Sequence, residues 1–233
     1  YDLGREEFVK QLGAHINTNR EMMENQLRRL GASCDWTRKK FTLDEDVSYA
    51  VRYTFKKMYD DGLLYRGERV INWCPRCETF LSDLEVDHKD SAGQLTYIKY
   101  PIKDEAGKYI IVATTRPETM LGDTAVAVNP EDKRFKNMVG KIAILPLMER
   151  EIPIIADDYV DSEFGTGAVK ITPAHDLNDF EVGKRHNLPI ISVIGPDLKM
   201  TAAAGKFEGL KTRAAAAAIV EELQKLGLIE TIE

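Results

Sequence analysis

The chain has 233 residues, 43% of them hydrophobic, and a net charge of −6, so it can form one large domain or two small ones, and indiscriminate binding to nucleic acid is disfavoured. No apolar run approaches the roughly 18 residues needed to span a bilayer, and no basic-then-apolar signal pattern opens the sequence. The three cysteines argue against a disulfide framework, and together these features predict a cytoplasmic protein without a membrane partner.

The first part of the chain, residues 1 to about 66, is predicted to be helical. Thr42 and Glu45 have the spacing of a capping box, in which two side chains satisfy backbone groups at the start of a helix. Apolar side chains then recur at helical spacing until Gly62, which supplies a left-handed exit. This segment is therefore the clearest helix that the sequence predicts.

A predicted strand, RVINW, leads directly into Cys74 and Cys77, which enclose two residues. This is the spacing of half a zinc knuckle, which needs four ligands in total. Because the sequence contains no second such pair, we interpret the cysteines as a half site completed from outside the chain. Two ordinary reduced cysteines are the close alternative, and a redox pair is least favoured because no thioredoxin-like pattern surrounds them.

From about Gln94 the sequence changes to short β-rich runs, which are LTYIKYPI, KYIIVATT, TAVAV, KIAILPL, EIPIIADDYV, GAVKITPA and PIISVIG. Their close spacing, with Gly, Pro and Asp between them, predicts a barrel-like or strongly curved sheet. Two helices are expected to interrupt it, one starting near Asp176 and one ending at Gly227. The predicted fold class is thus mixed α/β (α+β), with a helical, cysteine-containing flank at 1–85 and a barrel-like domain at 86–233.

Two of the predicted strands end in turns that are crowded with polar side chains. The residues concerned are Thr114, Thr115, Arg116 and Thr119 after the first strand, and Lys170, Thr172, Asp176 and Asp179 at the second. Polar turns at the ends of short strands are where a rigid scaffold commonly holds a binding site. Hydroxyls, paired carboxylates and a lysine suit a small polar zwitterion rather than a hydrophobic ligand.

Each of these features also has a purely structural interpretation. Asp176 and Asp179 are spaced to cap a helix and to balance the positive end of its dipole. Lys170 and Thr172 alternate onto one face of a strand, and a lysine on the core side needs a carboxylate partner, for which Asp176 or Asp179 is the candidate. Arg116, taken alone, is most simply a surface residue of a capped turn.

The sequence has no Gly-x-Ser-x-Gly elbow or other nucleophile motif for hydrolysis, and it also has no Walker A motif for binding phosphate. Any hydrolysis at the predicted site should therefore depend on a positioned water molecule and on electrostatic stabilisation.

Five segments carry a specific family pattern, and they are QLRRLGASCDW, INWCPRCETFLSDLEV, ATTRPETMLGDTAVAVNPED, IPIIADDYVDSEFGTGAVKITPAHDLNDFEVGKRHNLP and KFEGLKTRAAA. Through them the chain resembles the bacterial-type valyl-tRNA synthetases, a branch of the class I aminoacyl-tRNA synthetases. TTRPETMLGD and KITPAHDLND have the valyl rather than the leucyl or isoleucyl form. The HIGH and KMSKS motifs of the ATP site are not in the sequence, so we expect a fragment.

The resemblance implies that 86–233 is an editing (CP1) domain and that 1–85 is a helical, zinc-ribbon-like flank of the catalytic core. The implied reaction is hydrolysis of mischarged threonyl-tRNA(Val), with threonyl-adenylate as a further candidate substrate. A valine-shaped pocket rejects threonine only about a hundredfold, for which the valyl enzymes are the established example. A second, polar pocket that binds the threonine hydroxyl can discriminate roughly 10⁴-fold, because valine would leave its polar groups unpaired.

By the same resemblance, Asp179 binds the α-ammonium group, and Lys170, Thr172 and Asp176 recognise the side-chain hydroxyl. Phe164 packs on the adenine or the pocket wall. The residues expected near the terminal adenosine and the attacking water are Thr114, Thr115, Arg116 and Thr119.

The implied partners are the acceptor end of tRNA(Val) carrying threonine and the remaining domains of the synthetase. Editing needs no cofactor, zinc is a candidate ligand of Cys74 and Cys77, and ATP belongs only to the full-length synthetase. The alternative is a non-catalytic module that binds the tRNA acceptor or serves a structural role. A free-standing zinc-ribbon protein would need two further ligands.

Overall fold

The structure of the protein is a computed structural model that describes residues 2–89 and 92–233. The chain divides into two compact units, with the division between Gly67 and Glu68. The boundary predicted near residues 85–94 contains residues 90 and 91, which lie outside the described residues, and the division into 1–85 and 86–233 stays a prediction. No helix among the described residues is long and apolar enough to cross a membrane.

The described residues of the first unit form two helices, α1 (Gly4–Arg29) and α2 (Glu45–Asp60). The helical prediction for this part of the chain is confirmed. The predicted capping box is not formed, because the N-cap of α2 is Asp44 and Thr42 lies two residues before it. Glu45 is instead the first helical residue, where its negative charge is favourable near the positive end of the helix dipole.

The part of the second unit that the structure describes contains the strands and two further α-helices. The strands are β1 (Asn72–Cys74), β2 (Thr79–Leu81), β3 (Thr96–Pro101), β4 (Tyr109–Thr114), β5 (Ala125–Val128), β6 (Ile142–Leu145), β7 (Arg150–Ala156), β8 (Ala168–Ile171) and β9 (Ile229–Ile232). The helices are α3 (Leu177–Arg185) and α4 (Thr212–Lys225). Short 3₁₀ helices occupy Asp83–Glu85, Pro117–Gly122 and Ala202–Phe207.

The strands form a hairpin of β1 and β2, a three-stranded sheet in the order β4-β3-β9, and a four-stranded sheet in the order β6-β7-β5-β8. All neighbouring strands are antiparallel except β5 and β7, which are parallel. The mixed α/β prediction is confirmed, although the described strands make open sheets rather than a closed barrel. The predicted strand PIISVIG contributes only a single bridge, Ile194 to Met200, whereas β9 was not predicted.

The core of the second unit lies between the sheets and α4. Alternate residues of β3 are buried, and Tyr100 pairs in register with Ile110 of β4. Helix α4 buries Ala215, Ile219 and Leu223, whose four-residue spacing makes one face that packs near the 3₁₀ helix after β4. Strand β4 lies next to β8, and this neighbourhood brings the polar ends of the two strands together.

Candidate functional site

The polar strand ends converge on one cavity of about 300 Å³ in the second unit. All nine residues predicted for the substrate site line it, and they are Thr114, Thr115, Arg116, Thr119, Phe164, Lys170, Thr172, Asp176 and Asp179. The sequence did not indicate five further lining residues, which are Leu95, Ala113, Tyr159, Val169 and His175. The volume is at the lower end of the ~300–1,000 Å³ range of small-molecule sites.

The start of helix α3 places two carboxylates at the cavity with different tasks. Asp176 is the N-cap, and its Oδ1 accepts hydrogen bonds from the backbone N–H groups of Asn178 (2.8 Å) and Asp179 (3.1 Å). Asp179 reaches back to the residue that follows β8, where its Oδ2 accepts a hydrogen bond from the Thr172 N–H at 2.8 Å. The capping interpretation is therefore correct for Asp176, whereas Asp179 ties the helix to the strand.

Asp179 is buried, with 5% of its surface exposed. Burial raises the pKa of its carboxyl to about 6, although the charge of Lys170 and the Thr172 N–H act in the opposite direction. Its Oδ1 accepts no hydrogen bond from the described residues. A buried carboxylate with one free oxygen and a pKa near neutrality is suited to binding a cationic group.

The lysine on β8 has a different partner from the one predicted. The Nζ atom of Lys170 donates to the Thr172 hydroxyl at 2.6 Å and lies 3.5 Å from Oδ1 of Asp123. The prediction that Lys170 needs a carboxylate is correct, but the named candidates, Asp176 and Asp179, are not that carboxylate. Asp123 follows the 3₁₀ helix after β4, 47 residues before Lys170, and no periodicity in the sequence connects them.

Asp123 is fully buried beneath the cavity and is held by three side chains. Its Oδ1 accepts a hydrogen bond from the Thr172 hydroxyl at 2.6 Å, and its Oδ2 accepts one from the Tyr100 hydroxyl at 2.7 Å. Burial raises the pKa of its carboxyl, while the positive charge of Lys170 lowers it. From the other side, Arg150 donates to the backbone carbonyl of Asp123 at 3.0 Å.

The turn after β4 is braced by its own hydroxyl groups. Thr114 accepts a hydrogen bond from the Arg116 N–H at 3.0 Å, and Thr119 donates to the Arg116 carbonyl at 2.9 Å. The guanidinium of Arg116 donates to the carbonyl of His175 at 3.1 Å, which joins this turn to the start of α3. Thr115 is exposed and lines the cavity, so its hydroxyl is the most available of the three threonine hydroxyls.

The loop before β8 places an aromatic ring at the edge of the cavity. Phe164 is 69% exposed, which suits a ring that meets a flat ligand rather than the protein core. Gly165 and Gly167 have φ values of +58° and +77°, a left-handed conformation that glycine adopts at no steric cost. A Cβ on Gly165 would lie 3.5 Å from the Cβ of Ala113, which shows how closely the loop approaches β4.

His175 is not available as an acid near neutral pH. Burial, together with the positive charges of Arg116 and Lys170, lowers the pKa of its imidazole to about 4. Its Nε2 accepts a hydrogen bond from the backbone N–H of Val193 at 2.9 Å. The neutral ring thus fixes the segment after α3 against the cavity wall.

Cys74 is the last residue of β1 and Cys77 lies in the turn between β1 and β2, and neither residue lines the cavity. Hydrogen bonds from the backbone N–H groups of Cys77 and Arg76 lower the pKa of the Cys74 thiol, whereas a hydrogen bond with Cys74 raises the pKa of Cys77. N–H groups that point at a sulfur stabilise its thiolate form, which is the form of cysteine that binds zinc. No group of three or more metal-ligating side chains occurs among the described residues, and the zinc half site stays a prediction.

The family model described as "tRNA synthetases class I (I, L, M and V)" matches residues 1–208. The chain belongs to this family of class I tRNA synthetases. The predicted membership is confirmed, and the match extends over both compact units.

The similar proteins include valine–tRNA ligases. The Valine--tRNA ligase of Geobacter sulfurreducens is 54% identical over 233 residues, which are 100% of this chain and 26% of that protein. The Valine--tRNA ligase of Thermotoga maritima is 53% identical over 232 residues, which are 27% of its length. The predicted resemblance to the valyl branch is confirmed, and the chain spans about a quarter of the length of these relatives.

Among solved structures, the LeuRS of Agrobacterium radiobacter K84, in a ternary complex with tRNA and LeuAMS, is similar in fold. Its TM-score is 0.50 at 18% sequence identity, and the match covers 99% of this chain and 38% of the other. At this identity the likeness concerns the fold alone, and it supports the mixed α/β assignment of the class I synthetases.

Proposed function

We propose that the cavity is an editing site that hydrolyses threonyl-tRNA(Val), with threonyl-adenylate as a further candidate substrate. The observation that carries the proposal is the linked set of Lys170, Thr172 and Asp123, which presents a hydrogen-bonding pair suited to a hydroxyl group. Membership of the class I family and similarity to valine–tRNA ligases support the proposal, and removal of a misattached threonine from tRNA(Val) in the cytoplasm is part of what we propose.

The hydrogen-bond inventory at Thr172 explains the preference for a hydroxyl. Its single O–H is donated to Asp123 and one of its lone pairs accepts from Lys170, so only a lone pair remains. Lys170 has three N–H donors and keeps at least one for a ligand. A substrate hydroxyl can therefore donate to Thr172 while it accepts from Lys170, and a methyl group can do neither.

The free-energy cost of binding valine in place of threonine follows from the groups that valine leaves unpaired. With a methyl group in place of the hydroxyl, the donor of Lys170 and the lone pair of Thr172 would both be desolvated without a partner. Each such group costs about 1–3 kcal/mol. Two groups give about 2–6 kcal/mol, which is roughly 30-fold to 10⁴-fold discrimination against valine.

The remaining residues are assigned to the rest of the aminoacyl ester. Asp179 binds the α-ammonium group through its free Oδ1, and the free oxygen of Asp176 contacts the side-chain hydroxyl. Thr115 and Arg116 lie near the terminal adenosine, on which Phe164 packs. Thr114 and Thr119 act by bracing the turn that carries Arg116, because their hydroxyls already bond to its backbone.

The reaction needs no protein nucleophile. The oxygen of a water molecule attacks the ester carbonyl carbon, the bond to the ribose oxygen breaks, and a proton from the water ends on that ribose oxygen. The products are free threonine and tRNA. His175 is neutral at pH 7 and cannot act as an acid, and Asp179 is occupied by the ammonium group in the proposed complex. The rate enhancement is therefore expected from positioning of the water and from electrostatic stabilisation.

The partners and metal follow as further parts of the proposal. The acceptor end of tRNA(Val) carries the ester, and the other domains of a longer synthetase would hold the rest of the tRNA and the ATP site. Cys74 and Cys77 would give two thiolate ligands to a zinc ion completed from elsewhere. Editing itself uses neither zinc nor ATP.

The test is single-turnover deacylation of threonyl-tRNA(Val) by wild type and an Asp179→Ala variant. Loss of the ammonium anchor should reduce the rate at least a hundredfold. Asp104→Asn is the matched control, because Asp104 is exposed in the β3–β4 turn, at the opposite end of the hairpin from Thr114, and has a φ of +61° that asparagine tolerates.

An equal rate for wild type and Asp179→Ala, or a wild type that cleaves neither tRNA-linked nor adenosine-linked threonine, would contradict the proposal. If Asp179→Ala lowers only the melting temperature or the affinity for tRNA, the cavity serves a binding or structural module.

A further inference from the structure

Tyr100 is a buried tyrosine whose hydroxyl has one hydrogen-bond partner among the described residues, the carboxyl group of Asp123. It is fully buried on the inner face of β3, and its hydroxyl donates to Oδ2 of Asp123 at 2.7 Å. A phenylalanine would fill the same core position without a polar group to satisfy. The hydroxyl therefore matters through what it does to Asp123.

Asp123 in turn decides which hydrogen-bonding groups face the cavity. Its Oδ1 accepts the only proton of the Thr172 hydroxyl at 2.6 Å and lies 3.5 Å from the ammonium of Lys170. If this carboxylate rotated or gained a proton, Thr172 could turn its O–H toward the cavity and Lys170 would lose its counter-charge. The selectivity for a hydroxyl depends on this arrangement being fixed.

Among the described residues, the side chains of Tyr100, Thr172 and Lys170 hold the Asp123 carboxylate in its orientation. Of these three side chains, only that of Tyr100 does not line the cavity. Thr172 and Lys170 both line the cavity, and in the proposed site both also hydrogen-bond the ligand. Arg150 donates to the backbone carbonyl of Asp123 and not to its side chain. The Tyr100 hydroxyl is thus the fixed donor behind the carboxylate.

We propose that Tyr100 is a positioning residue for the cavity, which acts by holding the Asp123 carboxylate and thereby sets the preference for a hydroxyl-bearing acyl group. The inference rests on the proposed editing function and deepens it. It predicts an effect on selectivity rather than on all substrates alike, because the residues that meet the ammonium and the adenosine are untouched.

The experiment compares wild type, Tyr100→Phe and Tyr97→Phe. Tyr97 lies on the same strand but on its outer face, and its hydroxyl donates to Glu233 at 3.2 Å, so the control removes the same atom without touching Asp123. Deacylation rates are measured for threonyl-tRNA(Val) and valyl-tRNA(Val). Binding of stable amide analogues, 3′-(threonylamino)- and 3′-(valylamino)-3′-deoxyadenosine, gives a second readout that needs no chemistry.

In Tyr100→Phe, the threonine-to-valine ratio of both readouts should fall about tenfold, equivalent to about 1.4 kcal/mol, and in Tyr97→Phe it should not change. A double-mutant cycle with Asp123→Asn locates the effect, because Tyr100→Phe should change the ratio less than twofold once the carboxylate is gone. The comparison in the Asp123→Asn background can also be made if Tyr100→Phe alone is too unstable to assay. In that background residue 123 has no carboxylate, so the loss of the Tyr100 hydroxyl leaves no buried carboxylate without its donor.

An unchanged ratio in Tyr100→Phe, or a further loss in the Asp123→Asn background, would overturn the positioning role while the editing function stands. Equal losses for both esters would indicate a merely structural role and would overturn it as well. A wild type that cleaves no ester and binds neither analogue would overturn the editing function and this inference with it.

Discussion

The pH dependence of the proposed editing activity follows from the environment of Asp179. In the proposed site its carboxyl must be charged to bind the α-ammonium group, and burial raises its pKa from 3.8 to about 6. At pH 7 about nine-tenths of the free protein is then charged at this position, and at pH 5 about one-tenth. The kcat/KM for threonyl-tRNA(Val) should therefore fall about tenfold from pH 7 to pH 5, since this ratio reports the free protein.

The raised pKa of Asp179 also makes the free energy of unfolding depend on pH. Because the folded pKa lies above the unfolded one, the folded state binds the proton more tightly, and protonation stabilises it. This contribution is fully present below about pH 4 and is lost as the pH rises through about 6. Its size is about 3 kcal/mol, from a shift of about two units at 1.36 kcal/mol each, for a group that is only 5% exposed.

Two assays check this. Single-turnover deacylation at subsaturating protein, which measures kcat/KM, should give one titration near pH 6 between pH 5 and 7.5. His175, with a pKa of about 4, does not titrate in this range. Denaturant unfolding of wild type should lose stability relative to Asp179→Asn as the pH rises from 4 to 7. A flat activity profile down to pH 5, or a stability difference that does not vary with pH, would refute the reasoning.

Two further predictions concern selectivity and packing. Thr172→Val should remove the hydroxyl that links Lys170 to Asp123 and lower the threonine-to-valine ratio of deacylation at least tenfold, while Thr172→Ser, which keeps the hydroxyl, should stay within about threefold of wild type. Gly183→Ala should destabilise the protein by about 1–3 kcal/mol in urea unfolding, because its Cβ would lie 2.8 Å from the ring of Pro173. Gly13→Ala, whose Cβ meets no atom within 4 Å, is the matched control, and a destabilisation as large as that of Gly183→Ala would contradict the packing argument.

Sequence patterns predicted the parts of the site that depend on neighbouring residues, namely the alternation of side chains along a strand and the cap of a helix. Lys170 and Thr172 lie on one face because side chains alternate along a strand. Asp176 caps α3 because a polar residue preceded a helical pattern. The nine cavity residues could be predicted for two reasons. Both segments end in polar turns, and the resemblance to the valyl enzymes implies the same positions.

The remaining parts of the site depend on contacts between distant segments. Asp123 follows a buried 3₁₀ helix, and only the closure of that turn against β8 makes it the partner of Lys170. Tyr100 has the pattern of an ordinary core residue in a strand, and its hydrogen bond is visible only in three dimensions. The β9 strand was missed because four residues after a helix carry little periodic signal.

The central claim is that the cavity selects threonine from valine by its hydroxyl. The most direct measurement is the ratio of single-turnover deacylation rates for threonyl-tRNA(Val) and valyl-tRNA(Val) with wild-type protein at pH 7.5. We predict a ratio of at least about 30 in favour of threonine, as expected for two polar groups left unpaired by valine. A ratio near one, with both esters cleaved, would contradict the account, because the Lys170–Thr172–Asp123 set would then make no distinction between a hydroxyl and a methyl group.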